Sequence, residues 1–283
     1  MAQRQKVAVV TGASSGIGKE TAKALVAQGW HVIAHGRDAA RSEAARAEIA
    51  GAVENGGKVD MVRADLSLLS DTARMADEIA GLTGHVDALL ANAGGVRDAQ
   101  VVTAEGNEVT FAGNHLGHFL LVRNLLPLLR AAAPSRIVST SSRAHMLPQA
   151  INWDDLQGLE NWTSVGAYGV AKLANVLFTR ELARRLAGDV IVAHAMHPGV
   201  VASNFASHGN ADMQQHMAAA ETISPAQAAD TLIWLASAEE PAASTGLYWH
   251  ERQPAEVSPL AQDDAAAARL WAESEALLAK AGY

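Results

Sequence analysis

Short β-branched apolar runs alternate along this chain with longer stretches whose apolar residues recur every three or four positions. Residues 6–11 (KVAVVT) predict a strand, followed by a helical pattern reaching Gln28. Residues 31–35 (HVIAH) predict a second strand, followed by an Ala/Glu/Arg-rich helix over 39–50. The pattern continues with a strand at 58–63, a helix from about 70 to 82, a strand at 87–91, a long amphipathic stretch over 107–129 and a strand at 136–140. A helix over 167–186 and a strand over 190–196 come next. Ser224, Pro225 and Gln227 form a capping box with proline at the first helical position, opening a helix to about 237. Residues 246–250 (GLYWH) predict a last strand and 265–278 a last helix.

Strand–helix alternation repeated this often predicts parallel strands joined by right-handed crossovers, with helices on both faces. Strands that are apolar throughout suit a sheet buried on both sides. No repeat, charge run or linker interrupts the pattern, so 1–283 reads as a single doubly wound α/β domain with a mainly parallel seven-stranded sheet. The segment 203–223, rich in Ala, His, Met and Gln, shows no clear strand and reads as a lid beside the site.

Composition narrows the function. Of 283 residues, 49% are apolar and 18% charged, enough for a core and too few charges for a disordered acidic chain. The net charge of -8 argues against nucleic-acid binding, which needs clustered Lys and Arg. The absence of cysteine excludes disulfides, thiolate metal sites and cysteine nucleophiles. Residues 1–6 are polar, unlike a signal peptide, and no run of 18 apolar residues offers a membrane span. A soluble, cytoplasmic protein is expected.

The first strand leads into Thr11-Gly12-Ala13-Ser14-Ser15-Gly16-Ile17-Gly18 and then a helix. In an α/β sheet this turn is where a nucleotide pyrophosphate docks on a helix N-terminus, and glycine is needed where a Cβ would block the turn or the ligand. The spacing is G-x-x-x-G-x-G, and no Gly-Lys-Ser/Thr follows, which excludes a Walker loop. An acid holding an adenosine ribose is expected at the end of the second strand. Gly36 stands there, followed by Arg37, a guanidinium suited to a 2′-phosphate, and by Asp38, which reads as the cap of the next helix. NADP(H) is therefore expected ahead of NAD(H).

With these features the chain resembles the short-chain dehydrogenase/reductase family, a Rossmann-fold family, over nearly its whole length. Besides the glycine turn it has Asp65-Leu66, which in the family meets the adenine, and Asn92-Ala93-Gly94 beside the cofactor. Asn114, Ser142, Tyr168 and Lys172 follow in the order of the family's catalytic tetrad. Pro198-Gly199 comes after the sixth strand, and Ser203 stands where a Thr or Ser reaches the nicotinamide carboxamide. Finer features (Asn114-His115-Leu116-Gly117-His118-Phe119, Ser142-Arg143-Ala144-His145, and the insertion Ile151-Asn152-Trp153-Asp154-Asp155-Leu156) resemble the retinol dehydrogenase / WW-domain oxidoreductase-like branch. The resemblance implies hydride transfer between a nicotinamide and a carbonyl or alcohol, with an apolar aldehyde, ketone or alcohol as substrate.

Tyr168 and Lys172 are i and i+4 on a helix and share a face. A phenol with a pKa near 10 exchanges protons poorly at neutral pH, and a neighbouring ammonium lowers that pKa. Tyr168 is thus the expected acid/base, Ser142 the stabiliser of the substrate oxygen, Lys172 the partner that also grips the ribose, and Asn114 the holder of a water behind Lys172. His145, three residues after Ser142, is expected to contact substrate. The pairs His115/His118 and His194/His197 lack a third ligand, so no metal is expected. The helices near 107–129 and 167–186 are expected to pair between subunits in a homodimer or homotetramer, as is common in the family. The alternative from another class is a catalytically silent nucleotide-sensing regulator with the same fold.

Overall fold

The computed structural model describes residues 4–202, 214–215 and 220–283. Its strands are β1 (Val7–Val10), β2 (His31–Gly36), β3 (Lys58–Arg63), β4 (Ala88–Ala91), β5 (Ser135–Thr140), β6 (Ile191–Met196), β7 (Tyr248–His250) and β8 (Gln253–Pro254). They form one sheet in the order β3-β2-β1-β4-β5-β6-β7-β8, parallel from β3 to β7. The order reverses between β1 and β4, the point at which a doubly wound sheet opens a crevice for a ligand.

The sheet has eight strands among the described residues, where the sequence pattern predicts seven. The extra strand, β8, pairs antiparallel with β7 through Trp249 opposite Pro254 and His250 opposite Gln253. Its hairpin turn is Glu251-Arg252, both left-handed at φ of 49° and 59°. Such a turn usually advertises itself by Asn-Gly or Asp-Gly, and this one does not.

Alternation along the strands divides the core in two. Val7 and Val9 of β1 face one cluster with Leu89 and Ile137, while Ala8 and Val10 face the other with Leu90 and Val138. Helices α1 (Gly16–Ala27), α2 (Ala39–Ala50) and α7 (Pro225–Ser237) cover the second face; α3 (Leu69–Leu82), α5 (Gly117–Ala132), α6 (Ser164–Arg185) and α8 (Asp264–Lys280) pack on the first. A short α4 (Val109–Phe111) and a π-helical segment, Ala112–Leu116, precede α5. The expected caps hold: Asp38 accepts from Arg41 N at 2.9 Å, and Ser224 and Gln227 close a reciprocal box at the start of α7.

Sixteen of the 22 residues of α6 are buried, so this helix is enclosed on nearly every side. Its outer face is covered by α8. Trp271 packs its ring on Phe119 of α5 and Phe178 of α6, Ser274 meets His115 Nε2 at 2.8 Å, and Arg180 pairs with Asp264 at 2.8 Å. The chain's own last helix thus packs over part of α5 and α6, the two helices expected to pair between subunits.

Candidate active site

The glycine turn sits where β1 delivers it, at the sheet's switch point. Thr11 Oγ1 accepts from both Asn92 N and Ala93 N at 2.9 Å, and Asn92 Nδ2 returns a bond to Thr11 O at 3.0 Å. This lock joins the turn to the end of β4. Gly12, at φ +71°, is pressed so closely on β4 that a Cβ would stand 2.9 Å from Ala93 Cα. Gly16, at φ +55°, instead faces open space. Gly18 does not line the cleft; it lies behind the turn, where a Cβ would collide with Gly12 O, and its part is close helix–turn packing.

The turn forms one end of a cleft of about 970 Å³. Ser14, Ser15, Gly16 and Ile17 line it beside Arg37. Asp65 and Leu66 stand opposite, and Asn92, Ala93 and Gly94 form the floor. Asn114, Ser142, Tyr168 and Lys172 gather at the far end with Pro198 and Gly199. A Cβ on Gly36 would run into Ser42 Oγ and Ser14 Cβ, so the position expected for a ribose-binding acid admits no side chain. Arg37 keeps a loose 3.5 Å pair with Asp65. Burial drives the Asp65 carboxyl upward in pKa, but bonds from Ser67 and the charges of Arg37 and Arg97 hold it below the usual range.

At the far end Lys172 is buried, and its Nζ donates to Thr140 O at 3.1 Å. The same ammonium lies 5.5 Å from the centre of the Tyr168 ring. Ser142 Oγ accepts from Ala144 N at 3.2 Å and is hydrogen-bonded to Tyr168. Burial pushes the Tyr168 phenol up to about 12, with the bond to Ser142 pulling the other way, and burial brings Lys172 down to about 7. Burial is the larger influence on the phenol, and the pull against it comes from Ser142. Asn114, within the π-helical segment, donates to Thr110 O at 2.7 Å and to Gly95 O at 2.9 Å, and accepts from Gly95 N at 3.1 Å.

The sequence from residue 6 to residue 214 matches the short chain dehydrogenase family. The chain belongs to that family. It is 36% identical to human retinol dehydrogenase 14 and 38% identical to human retinol dehydrogenase 13, covering 96% of this chain and 86% and 84% of theirs. Among solved structures, an uncharacterized protein from Mycobacterium Paratuberculosis shares 35% identity at a TM-score of 0.78, over 96% of this chain and 93% of that one. The active-site complex of Pseudomonas aeruginosa RhlG with NADP shares 26% identity at a TM-score of 0.69, over 86% and 93%. This short chain dehydrogenase is thus an oxidoreductase of alcohols or carbonyls, built for a nicotinamide cofactor and a small-molecule substrate.

His145 departs from its expected place at the substrate. It is fully buried, its Nδ1 bonds Ser142 O at 2.7 Å, and its Nε2 accepts from Ser258 N at 3.2 Å. It therefore ties the Ser142 loop to the C-terminal region and does not line the cleft. Ser203 lies outside the described residues, as does most of the expected lid at 203–223. The two ends of that segment are joined, since Ala202 N donates to Ile223 O and Ile223 N to Val200 O, both at 2.9 Å. The paired histidines serve packing: His118 donates from Nδ1 to Asn114 O at 3.2 Å and accepts from Thr11 Oγ1 at 2.9 Å, and His194 bridges Pro241 O and Trp249 Nε1 at 3.0 Å each.

Three residues the sequence reading passed over complete the short chain dehydrogenase site. His35 accepts from Gly12 N at 3.2 Å and donates to Ala64 O at 3.0 Å, propping the glycine turn from β2. Glu108 is buried and caps α4 through Phe111 N at 2.7 Å, while Trp162 donates to its other oxygen at 3.1 Å. It joins the insertion after Ser142 to the segment carrying Asn114. Arg97 lines the cleft half-buried, its guanidinium bonded only to Val96 O at 3.1 Å among the described residues. An exposed-looking charge three residues past Asn92-Ala93-Gly94 is the one signal that could have marked it.

Proposed function

We propose that this protein is an NADP(H)-dependent carbonyl reductase or alcohol dehydrogenase in which Tyr168 is the acid/base. The observation that carries the reading is convergence: Ser142, Tyr168 and Lys172 meet at one end of a single cleft, and Gly16 and Arg37 line its other end. The residues fit a nicotinamide dinucleotide. The turn at Gly12–Gly18 is a cradle with open space over Gly16, set at a helix N-terminus. The closed position at Gly36, the engagement of Asp38 as a cap, and the presence of Arg37 and Arg41 favour a 2′-phosphate over a bare ribose. NAD(H) is the second choice.

When bound, the nicotinamide supplies or accepts the hydride. Tyr168 gives its phenolic proton to the substrate oxygen in reduction and takes it back in oxidation. Ser142, already bonded to Tyr168, donates to or accepts from the same oxygen. Lys172 holds a charge or a lone pair under the Tyr168 ring and grips the ribose hydroxyls. Asn114 fixes the backbone behind Lys172 and keeps a water there. The likeness to retinol dehydrogenases supports an apolar aldehyde, ketone or alcohol as substrate.

The test is a panel of aldehydes and ketones followed by loss of NADPH absorbance. Turnover should be found, and Tyr168→Phe should cut it by about 10²–10⁴-fold while the fold is kept. Near-normal turnover in Tyr168→Phe on a verified substrate would refute the assignment.

A further inference from the structure

The cleft contains a cation that hydride transfer leaves without a task. Arg143 follows Ser142 directly, at the start of the 3₁₀ turn Arg143–Met146, and its side chain lines the cleft. It has no hydrogen-bond or ion-pair partner among the described residues. It stands next to Ser142 on the cleft wall, and its charge reaches His197 and Tyr248, so the guanidinium belongs to the Ser142–Tyr168 end of the cleft. Arg37 and Arg97 interact with each other and with Asp65 at the opposite, adenosine end.

Two further observations give the cation meaning. Five Lys or Arg side chains line the cleft against two carboxylates, in a chain of net charge -8, so the site is a positive island on an acidic protein. Such a field concentrates anions. The same cleft wall carries apolar side chains: Leu147, four residues after Arg143, and Val165 and Val200 line it and are 54%, 42% and 41% exposed. Single exposed apolar residues are ordinary, but three converging on one cleft beside a cation describe an amphipathic ligand.

We propose that Arg143 makes this cleft selective for apolar carbonyl or alcohol substrates that also carry a carboxylate, that is, oxo acids and their hydroxy-acid counterparts. The reacting oxygen sits at Ser142 and Tyr168, the carbon chain lies on Leu147, Val165 and Val200, and the carboxylate meets the Arg143 guanidinium. A guanidinium matches a carboxylate with two parallel N–H···O bonds, and a single one suits a monoanion. The inference rests on the reductase reading above and adds the substrate class to it.

The experiment compares straight-chain oxo acids of graded length with their methyl esters, as pairs, with NADPH. Wild-type protein should favour the best acid over its ester by about 10–100-fold in kcat/KM, the span of a charge-assisted contact. Arg143→Gln should bring that ratio to near one, and Arg143→Lys, which keeps the charge, should retain part of it. The ratio in the wild type should fall as salt is raised from about 0.05 to 0.5 M, because an exposed ion pair is screened. Equal or better use of the esters by the wild type, or an unchanged ratio in Arg143→Gln, would overturn the inference and leave the reductase reading standing. No turnover of acids, esters or simple aldehydes would overturn both.

Discussion

The side-chain amide of Asn114 closes a two-way pair of hydrogen bonds with the backbone of Gly95, donating to its oxygen at 2.9 Å and accepting from its nitrogen at 3.1 Å. A third bond, to Thr110 O at 2.7 Å, stays within Asn114's own helical segment. One side chain thus clamps the strand end that carries Asn92-Ala93-Gly94 to the helix that runs behind Lys172. The clamp falls in the π-helical segment, where the widened turn leaves a carbonyl for a side chain to take. Asn114→Ala should therefore be felt first as lost stability, by about 1–3 kcal/mol for buried groups left unpaired. Denaturant unfolding measures it. A variant as stable as the wild type would show that Asn114 has no clamping role.

Arg37 is half-exposed and only loosely paired with Asp65, so its charge is available to a ligand. Arg37→Ala should weaken NADPH by about 1.5–3 kcal/mol and NADH by much less. Titration of both cofactors decides it. Equal weakening would mean that Arg37 does not read a 2′-phosphate.

Lys172 gives a stability prediction with a definite sign. Burial sets its folded pKa near 7, against about 10.4 for a free lysine. Between those values the unfolded chain binds more protons than the folded one, so stability from this group rises with pH from about 7 to 10. Below pH 7 the penalty of burying the ammonium is fully present. Lys172→Met removes it, and the gain in Tm of the variant over the wild type should be largest at or below pH 7 and shrink toward pH 10. A pH-independent difference would mean that Lys172 keeps its proton in the folded state as it does in the unfolded one, with no lowered pKa. Burial moves the Tyr168 phenol in the opposite direction, up to about 12. Alcohol oxidation should accordingly report a pKa of the Tyr168–Lys172 pair rather than of either residue.

The covering of α6 by α8 bears on assembly. Trp271 fills the groove between Phe119 and Phe178, and Arg185 stacks on its outer face with the guanidinium 4.3 Å from the ring centre. The part of α6 under Trp271 is therefore not free to meet a second copy in an isologous helix pair. Light scattering at micromolar concentration should give the 29.6 kDa of one chain. A dimer that Trp271→Ala leaves intact would show that another surface mediates association.

Much of this protein could be read along the chain because the decisive signals are local. A buried parallel strand is apolar on both faces, so β1 (VAVV) and β4 (ALLA) stand out as short apolar runs, and β2 and β6 nearly so. A turn that presses on β4 must be glycine at Gly12, whatever the rest of the fold does. Tyr168 and Lys172 face the same way because four residues make about one helical turn. Other features were decided only by distant parts of the chain meeting. His145 belongs to the packing between the Ser142 loop and Ser258, 113 residues on, whereas sequence proximity to Ser142 suggested a place on the cleft wall, which it does not line. The enclosure of α6 depends on α8, nearly a hundred residues later, and periodicity within α6 cannot tell a partner subunit from the chain's own C-terminus. The protonation of Tyr168 and Lys172 is likewise tertiary: spacing makes them neighbours, but how much water surrounds them, and hence which way each pKa moves, is set by everything packed around the cleft.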